Sequence, residues 1–353
     1  MFGISVYLSE DIGEKQRAYI KKAKQHGFGW IFTSLHIPED NTSALRGRFS
    51  QLAKIAQETE MELFADVSPA SLEQIGLSID RAEELTEWGV TGLRVDYGIA
   101  AKQIAALSSV MKVALNASTL TEYEYKEILA AGADIHRIEA WHNFYPRPET
   151  GLGEAYAGEK NEWLASLGLR TMAFVPGDRD KRGPLFQGLP TLEKHRNSAP
   201  FSAALELMRN LHTQKVLIGD PDLSDKAFRQ FKRFGENRCI PLGAKSFADT
   251  SLYKHTQTNR PDPARDCIRS IESRGFAQTG DKPIEPFHTV ERPRGSITVD
   301  NRLYLRYAGE MQIVLKDLPA DEKVNVIGRI VAEDLPLLPF IEPGGRFIIL
   351  WEE

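Results

Sequence analysis

The chain has 353 residues, 42% hydrophobic and 26% charged, which is ordinary for a globular protein and enough for one large domain plus a smaller one. Its formal net charge of -5 gives no support for a nucleic-acid surface, and no apolar run reaches membrane-spanning length. The two cysteines, Cys239 and Cys267, lie far apart and match no metal spacing, and Met1-Phe2-Gly3-Ile4-Ser5-Val6 lacks the pattern of a signal peptide, so a cytoplasmic protein with free thiols is expected.

Short apolar runs alternate with amphipathic segments through the first two thirds. Strands are expected at 2–8, 30–35, 62–67, 92–96, 112–116, 134–141, 169–175 and 215–219. Helical patterns follow them, at 13–26, 45–60, a stretch ending near Trp88, 123–131, 154–166, 203–211 and 225–234. This alternation predicts an α/β fold, a (β/α)8 TIM barrel over residues 1–236. An open doubly wound sheet is the alternative, weakened because Leu8-Ser9-Glu10-Asp11-Ile12-Gly13 is not a Gly-rich phosphate turn. From 237 to 353 the pattern is turn-rich and β-like, with strands read at 295–299, 303–307, 311–315, 324–331 and 347–351. In the same region 262–274 reads as one helix and Asp300-Asn301 as a hairpin turn. A small β-rich domain or closed barrel is expected there.

A (β/α) barrel carries its active site at the carboxyl ends of its strands. In order, these ends supply Glu10, His36, Asp66, Asp96, Asn116, then Glu139 with His142 and Asn143, then Asp178 and Asp220. Carboxylates on several strands suit glycosidic bond cleavage, in which one protonates the leaving oxygen and another acts as nucleophile or base, or supports the oxocarbenium-like transition state. Asp66 and Asp96 each close an apolar strand, on neighbouring strands, and are the first candidates; Glu10 and Glu193 are further ones, and any of the four could instead cap a helix or pair locally. Three carboxylates with His36 or His142 could hold a divalent ion, but neither an H-x-H pair after the first strand nor H-E-x-x-H occurs, so no metal or cofactor is expected.

Two connections are long and polar. His142-Asn143-Phe144-Tyr145-Pro146-Arg147-Pro148-Glu149-Thr150-Gly151-Leu152-Gly153 joins hydrogen-bonding groups to two stiffening prolines and two glycines. Its expected roles are ligand contacts by His142, Asn143 and Tyr145 and an anion contact by Arg147, with a plain stiff loop as the alternative. Residues 176–200 hold Arg179, Lys181, Arg182, Lys194 and Arg196 beside His195. Arg182, His195 and Arg196 are expected to meet phosphate or carboxylate, while Arg179 and Lys181 read as solvated. Asn116 and Asp178 complete the expected substrate contacts.

These two loops, with Asp66 in Ala65-Asp66-Val67-Ser68-Pro69, with Asp96-Tyr97-Gly98, and with the tail Arg294-Gly295-Ser296-Ile297-Thr298-Val299-Asp300-Asn301, resemble the MupG-type 6-phospho-N-acetylmuramidases over essentially the whole chain. Proteins of that kind once carried a loose outer-surface label, which conflicts with the N-terminal pattern. The resemblance implies a TIM barrel followed by a cyclophilin-like β domain. It implies an exo-acting cytoplasmic glycosidase of cell-wall recovery. The implied substrate is a disaccharide of N-acetylmuramic acid 6-phosphate β-1,4-linked to N-acetylglucosamine. Substrate assistance by the acetamido group is an alternative chemistry. The β domain would brace the barrel, or bring Arg292, Arg294 or Arg306 to a phosphate. A phosphosugar sensor and a metal-dependent barrel enzyme are the competing functions, and a homo-oligomer stays open.

Overall fold

In the computed structural model, which describes residues 1–35, 42–273 and 283–352, eight apolar runs become eight parallel strands, each covered on both faces. They are β1 (Phe2–Ser5), β2 (Trp30–Ser34), β3 (Glu62–Val67), β4 (Gly92–Val95), β5 (Lys112–Asn116), β6 (Ile138–Trp141), β7 (Arg170–Val175) and β8 (Lys215–Ile218). They pair in chain order, and β1 pairs with both β2 and β8, so the barrel closes. The helices α1 (Glu14–Gln25), α2 (Thr42–Glu58), α3 (Pro69–Gln74), α4 (Ala101–Val110), α5 (Glu122–Ala130), α6 (Glu154–Ser166), α7 (Pro200–Asn210) and α8 (Asp225–Asn237) alternate with them. Local chemistry sets their starts: the Ser68 hydroxyl accepts from the Ser71 N–H, and Thr121 with Glu124 forms a capping box. The strand expected at 134–141 is shortened because the Asp134 carboxylate accepts the His136 N–H and winds Ile135–Arg137 into a 3-10 turn.

Side chains alternate along each strand, so every second residue faces the barrel interior. The middle of that interior is aromatic: Phe32, Phe64, Trp141 and Phe174 pack with Ala114, Met172 and Leu217. Phe64 lies against Trp141 with ring centroids 4.4 Å apart. A Cβ on Gly92 would fall 2.4 Å from the Phe64 ring, so this position must stay bare. Burial of each such ring contributes about 1.5–3 kcal/mol.

Two residues earlier on the strands, the amino-terminal end of the interior is charged. Lys215 donates to both oxygens of Glu139 at 2.8 and 2.7 Å, Arg170 reaches Glu139 at 3.0 Å, and Lys112 donates to both oxygens of Glu62 at 2.7 Å. The sequence grouped Glu139 with the carboxyl ends; the register places it at the opposite end from Asp66, buried under Trp141.

The chain divides into two units, Met1–Phe231 and Lys232–Glu353. The second holds a seven-stranded sheet built from β9 (Cys239–Ser246), β10 (Gln257–Thr258), β11 (Cys267–Arg269), β12 (Ser296–Asp300), β13 (Met311–Val314), β14 (Val324–Ile330) and β15 (Arg346–Glu352), in the order β10-β15-β9-β14-β12-β13-β11. Among the described residues only its β15–β9 pairing is parallel. Three readings change here. The helix expected at 262–274 is replaced, over its described part, by a bend and β11, where Ile268 is buried between two half-exposed neighbours. The strand expected at 303–307 is a 3-10 segment, and Asp300-Asn301 is not a hairpin turn. Instead Asn301 accepts the Leu303 N–H and starts that segment before β13 begins. Within this unit Arg292 and Arg294 donate to the carbonyls of Pro319 and Leu335, and Arg306 to the Tyr307 hydroxyl. Among the described residues no helix is long and apolar enough to cross a membrane.

Candidate active site

The carboxyl end of the barrel interior is polar, and one guanidinium organises it. Arg94 faces inward from β4, two residues before Asp96, and is 3% exposed. Its Nη1 donates to Asp66 Oδ1 at 2.6 Å and to Asp96 Oδ1 at 3.5 Å; its Nη2 donates to the Asn143 side-chain oxygen. The two carboxylate oxygens on Nη1 are therefore at most about 6 Å apart, close enough for both groups to flank one glycosidic bond. Asp66 also accepts from the Ser34 hydroxyl at 3.3 Å. Burial pushes the Asp66 carboxyl above the ordinary range, and Arg94 opposes that shift. Asn116 donates to Asp96 at 2.9 Å and accepts the Ser118 N–H, so the end of β5 holds the second acid in place. His36 lies outside the described residues.

Asn143 is positioned from behind. The Ser118 hydroxyl accepts the Asn143 N–H at 3.2 Å and lies 3.1 Å from His142 Nδ1, while His142 Nε2 lies 2.8 Å from the Asn161 side-chain oxygen. With Asn161 accepting, Nε2 carries the proton and Nδ1 accepts from Ser118. The ring is 1% exposed, and burial lowers its pKa to about 4. His142 therefore braces the site as a neutral imidazole and does not present itself to a ligand, which corrects the role read from its sequence position.

The two long loops are fastened to each other. Backbone bonds run from Tyr145 to Pro190, Leu152 to Thr191 and Glu193 to Leu152, and the Thr191 hydroxyl donates to the Asn143 carbonyl. Glu193 accepts the N–H groups of Glu149 and Gly151 at 2.9 and 2.8 Å and pairs with both Arg196 nitrogens, Nε and Nη2, at 2.6 Å. Those Arg196 bonds hold the Glu193 carboxyl down at about 2. Arg196 is buried and donates onward to the carbonyls of Tyr145, Arg147 and Gly188. His195 is buried against Glu206 at 2.8 Å. Asp178 binds the Ser224 N–H and hydroxyl before α8. Glu193, Arg196 and Asp178 thus hold the chain's own backbone and side chains, while His195 pairs Nε2 with Glu206 and leaves its buried Nδ1 without a partner among the described residues. Tyr145 is half-buried and Arg147 is exposed at the loop surface.

Glu10 and Arg182 come together elsewhere on the mouth. A cleft of about 710 Å3 above β1, β7 and β8 is lined by Tyr7, Glu10, Lys15, Lys181, Arg182 and Phe186, among others. The Arg182 guanidinium stacks on the Tyr7 ring at 4.2 Å, and the Tyr7 hydroxyl donates to the Gly219 carbonyl at 2.5 Å. Asp220 is fully buried and accepts the N–H groups of Gly177, Arg182 and Leu189, which sets the backbone of this loop. Arg182 lies in the connection after β7, and TIM barrels frequently bind phosphate at the loops after strands seven and eight. Sequence reading passed over Arg94, Ser34, Ser118, Asn161 and Tyr7. Of these, Arg94 carried a usable signal: a charge two residues before Asp96 shares its inward face.

With this geometry in view, comparison with known proteins is decisive. The N-terminal profile of the 6-phospho-N-acetylmuramidases matches residues 2–233, and the C-terminal profile matches residues 243–350. The chain belongs to the 6-phospho-N-acetylmuramidase family. The activity that names the family is a glycoside hydrolase activity, so this family member is an enzyme. Among solved structures, a conserved Enterococcus faecalis protein of unknown function is 46% identical, with a TM-score of 0.90 over 100% of this chain and 96% of its own. An uncharacterized B. cereus protein is 28% identical, with a TM-score of 0.78 over 99% of each chain. No curated protein matches the chain.

Proposed function

We propose that this 6-phospho-N-acetylmuramidase family member is an exo-acting hydrolase of the β-1,4 bond between N-acetylmuramic acid 6-phosphate and N-acetylglucosamine, working in the cytoplasm in cell-wall recovery. The observation that carries the reading is the pair Asp66 and Asp96 on one buried guanidinium. In the proposed reaction one carboxyl protonates the glycosidic oxygen as the bond to the anomeric carbon breaks. The other carboxylate supports the positive charge that develops there, and water adds its hydroxyl to the anomeric carbon and returns its proton to the carboxylate that gave one up. Burial biases the proton toward Asp66. The 6-phosphate is assigned to Arg182 beside Tyr7, with Lys181 adjoining. Asn116 and Asn143 are the proposed hydroxyl or acetamido partners. The seven-stranded sheet of the second unit fits the cyclophilin-like domain that the family resemblance implies.

The test is release of N-acetylglucosamine from phosphorylated and unphosphorylated muramyl disaccharide. Release from the phosphorylated form alone is expected. No release from it removes the reading, and equal release from both removes the phosphate site at Arg182.

A further inference from the structure

Outward from Asp96 a second cleft, of about 640 Å3, opens between the β4–α4 and β5–α5 connections. It lies away from Arg182, and Asp96, Tyr97, Asn116, Thr119, Glu124 and Glu127 contribute to its walls. Tyr97 is 58% exposed, an unusual position for an aromatic ring beside a candidate catalytic acid. We propose that this cleft is the subsite for the leaving-group sugar, an uncharged N-acetylhexosamine, and that Tyr97 is its stacking platform and sets the preference for it; the proposal rests on the glycosidase reading above.

Three observations carry it. The cleft shares Asp96 and Asn116 with the carboxylate pair, so a sugar seated there brings its glycosidic oxygen to the acids. Its volume lies in the ordinary range of small-ligand sites, roughly 300–1,000 Å3. Its charge differs from that of the opposite cleft: Asp96, Glu124 and Glu127 stand against Lys102 here, whereas Lys15, Lys22, Lys181 and Arg182 stand against Glu10, Asp180 and Asp222 there. A sugar phosphate is repelled from the first and attracted to the second, while a neutral sugar pays no such penalty. A pyranose presents apolar C–H faces and a rim of hydroxyls, which a tyrosine ring flanked by Asn and Glu side chains matches. The substrate thus crosses the mouth in one direction, phosphate toward β7 and β8 and leaving sugar toward β4 and β5.

The experiment compares Tyr97→Ala, Tyr97→Phe and wild type on two substrates: the phosphorylated disaccharide, and 6-phospho-N-acetylmuramosyl fluoride, whose leaving group is a single atom. Tyr97→Ala is expected to lower kcat/KM about tenfold on the disaccharide, the scale of one lost aromatic contact, and to leave the fluoride rate within about twofold. Tyr97→Phe keeps the ring and stays near wild type on both. Equal loss on both substrates, or no loss on the disaccharide, overturns the subsite. Titration of N-acetylglucosamine alone, followed by calorimetry, reads the cleft without turnover. Weaker binding by Tyr97→Ala is expected even if the wild type hydrolyses neither substrate, a result that would remove the parent reading alone. Equal binding by wild type and Tyr97→Ala, or none by either, overturns the subsite.

Discussion

Arg94→Met tests whether one guanidinium controls the acid pair. The side chain is similar in length but carries neither charge nor donors. Two unit charges about 4 Å apart interact by about 4 kcal/mol at an effective dielectric near 20, or about 3 pKa units. Asp66 is 8% exposed and keeps only the Ser34 hydroxyl among its described partners once Arg94 is gone. Its folded-state pKa, already raised by burial, therefore climbs further. A carboxyl with a raised folded pKa costs stability as pH rises from the unfolded pKa to the folded one, and the cost is constant above that. The added deficit of Arg94→Met should thus be small near pH 4, roughly the 1 kcal/mol of the lost Asn143 bond. It should grow to about 5 kcal/mol near pH 8, where the unpaired carboxylate must either stay charged or hold a proton against the solvent. Urea denaturation at several pH values measures this directly, and kcat/KM should fall more than about 100-fold across the same range. Arg94→Lys restores a charge without the fork, so it should recover stability at high pH but little activity. A stability deficit that is the same at pH 4 and pH 8 would refute the idea that Arg94 neutralises Asp66.

Two further predictions concern the acids. Asp66→Asn and Asp96→Asn should each lower kcat by about 1,000-fold or more on the phosphorylated disaccharide, and circular dichroism should show both folded. Asp66→Asn should also lower stability by about 2–3 kcal/mol, because Arg94 loses its nearest counter-charge, and Asp96→Asn should cost less; near-normal turnover in either would place the chemistry elsewhere. Glu193→Gln should behave as a loop lesion. The Arg196 bonds hold its carboxyl at about 2, so its stabilisation is present above the unfolded pKa of about 4.3 and drains as pH falls toward 2. The variant should lose that acid limb, exchange the Glu149 and Gly151 amide hydrogens faster, and keep kcat within about tenfold. Lost turnover with unchanged exchange would return Glu193 to the reaction.

The barrel was legible because its signal is long-range and repeated. The strands at 62–67 and 112–116 and the helix at 154–166 match residue for residue, since apolar runs between polar breaks admit little else. Asp66 and Asp96 could be singled out because position in the fold selects them. Arg94 could not be found by looking for strand-end polarity, because it lies within a strand and its role depends on partners from β3 and the connection after β6. The conspicuous loop at 142–153 misled in the opposite sense. Its imidazole, and the carboxylate and guanidinium of Glu193 and Arg196 in the partner loop, are the groups an anionic ligand would want. They are also what two irregular segments need to satisfy each other's backbone, and composition does not separate the two uses. In the second unit three strands were missed: β10 and β11 are two and three residues long, too short for alternation to register, and β9, eight residues long, begins with four buried residues in a row and so shows no alternation there.

Charge occurs at both ends of the barrel interior, and the balance of charges decides which end is built for chemistry. At the amino end three cations, Lys112, Arg170 and Lys215, face two carboxylates, Glu62 and Glu139, and each acid has at least one close cation. Such a cluster plugs the barrel with paired charges. At the carboxyl end two acids share one nitrogen of one guanidinium, at unequal distances. Two carboxylates therefore share one cation, and burial raises the Asp66 carboxyl above the ordinary range. A site that holds one proton between two carboxylates can give it to a leaving oxygen while the other carboxylate stays negative beside the developing cation. The shortage of positive charge around Asp66 and Asp96 is therefore the physical basis of the proposed reaction. In the proposed binding mode the substrate phosphate meets Arg182 beside Tyr7 and leaves Arg94 to the acids.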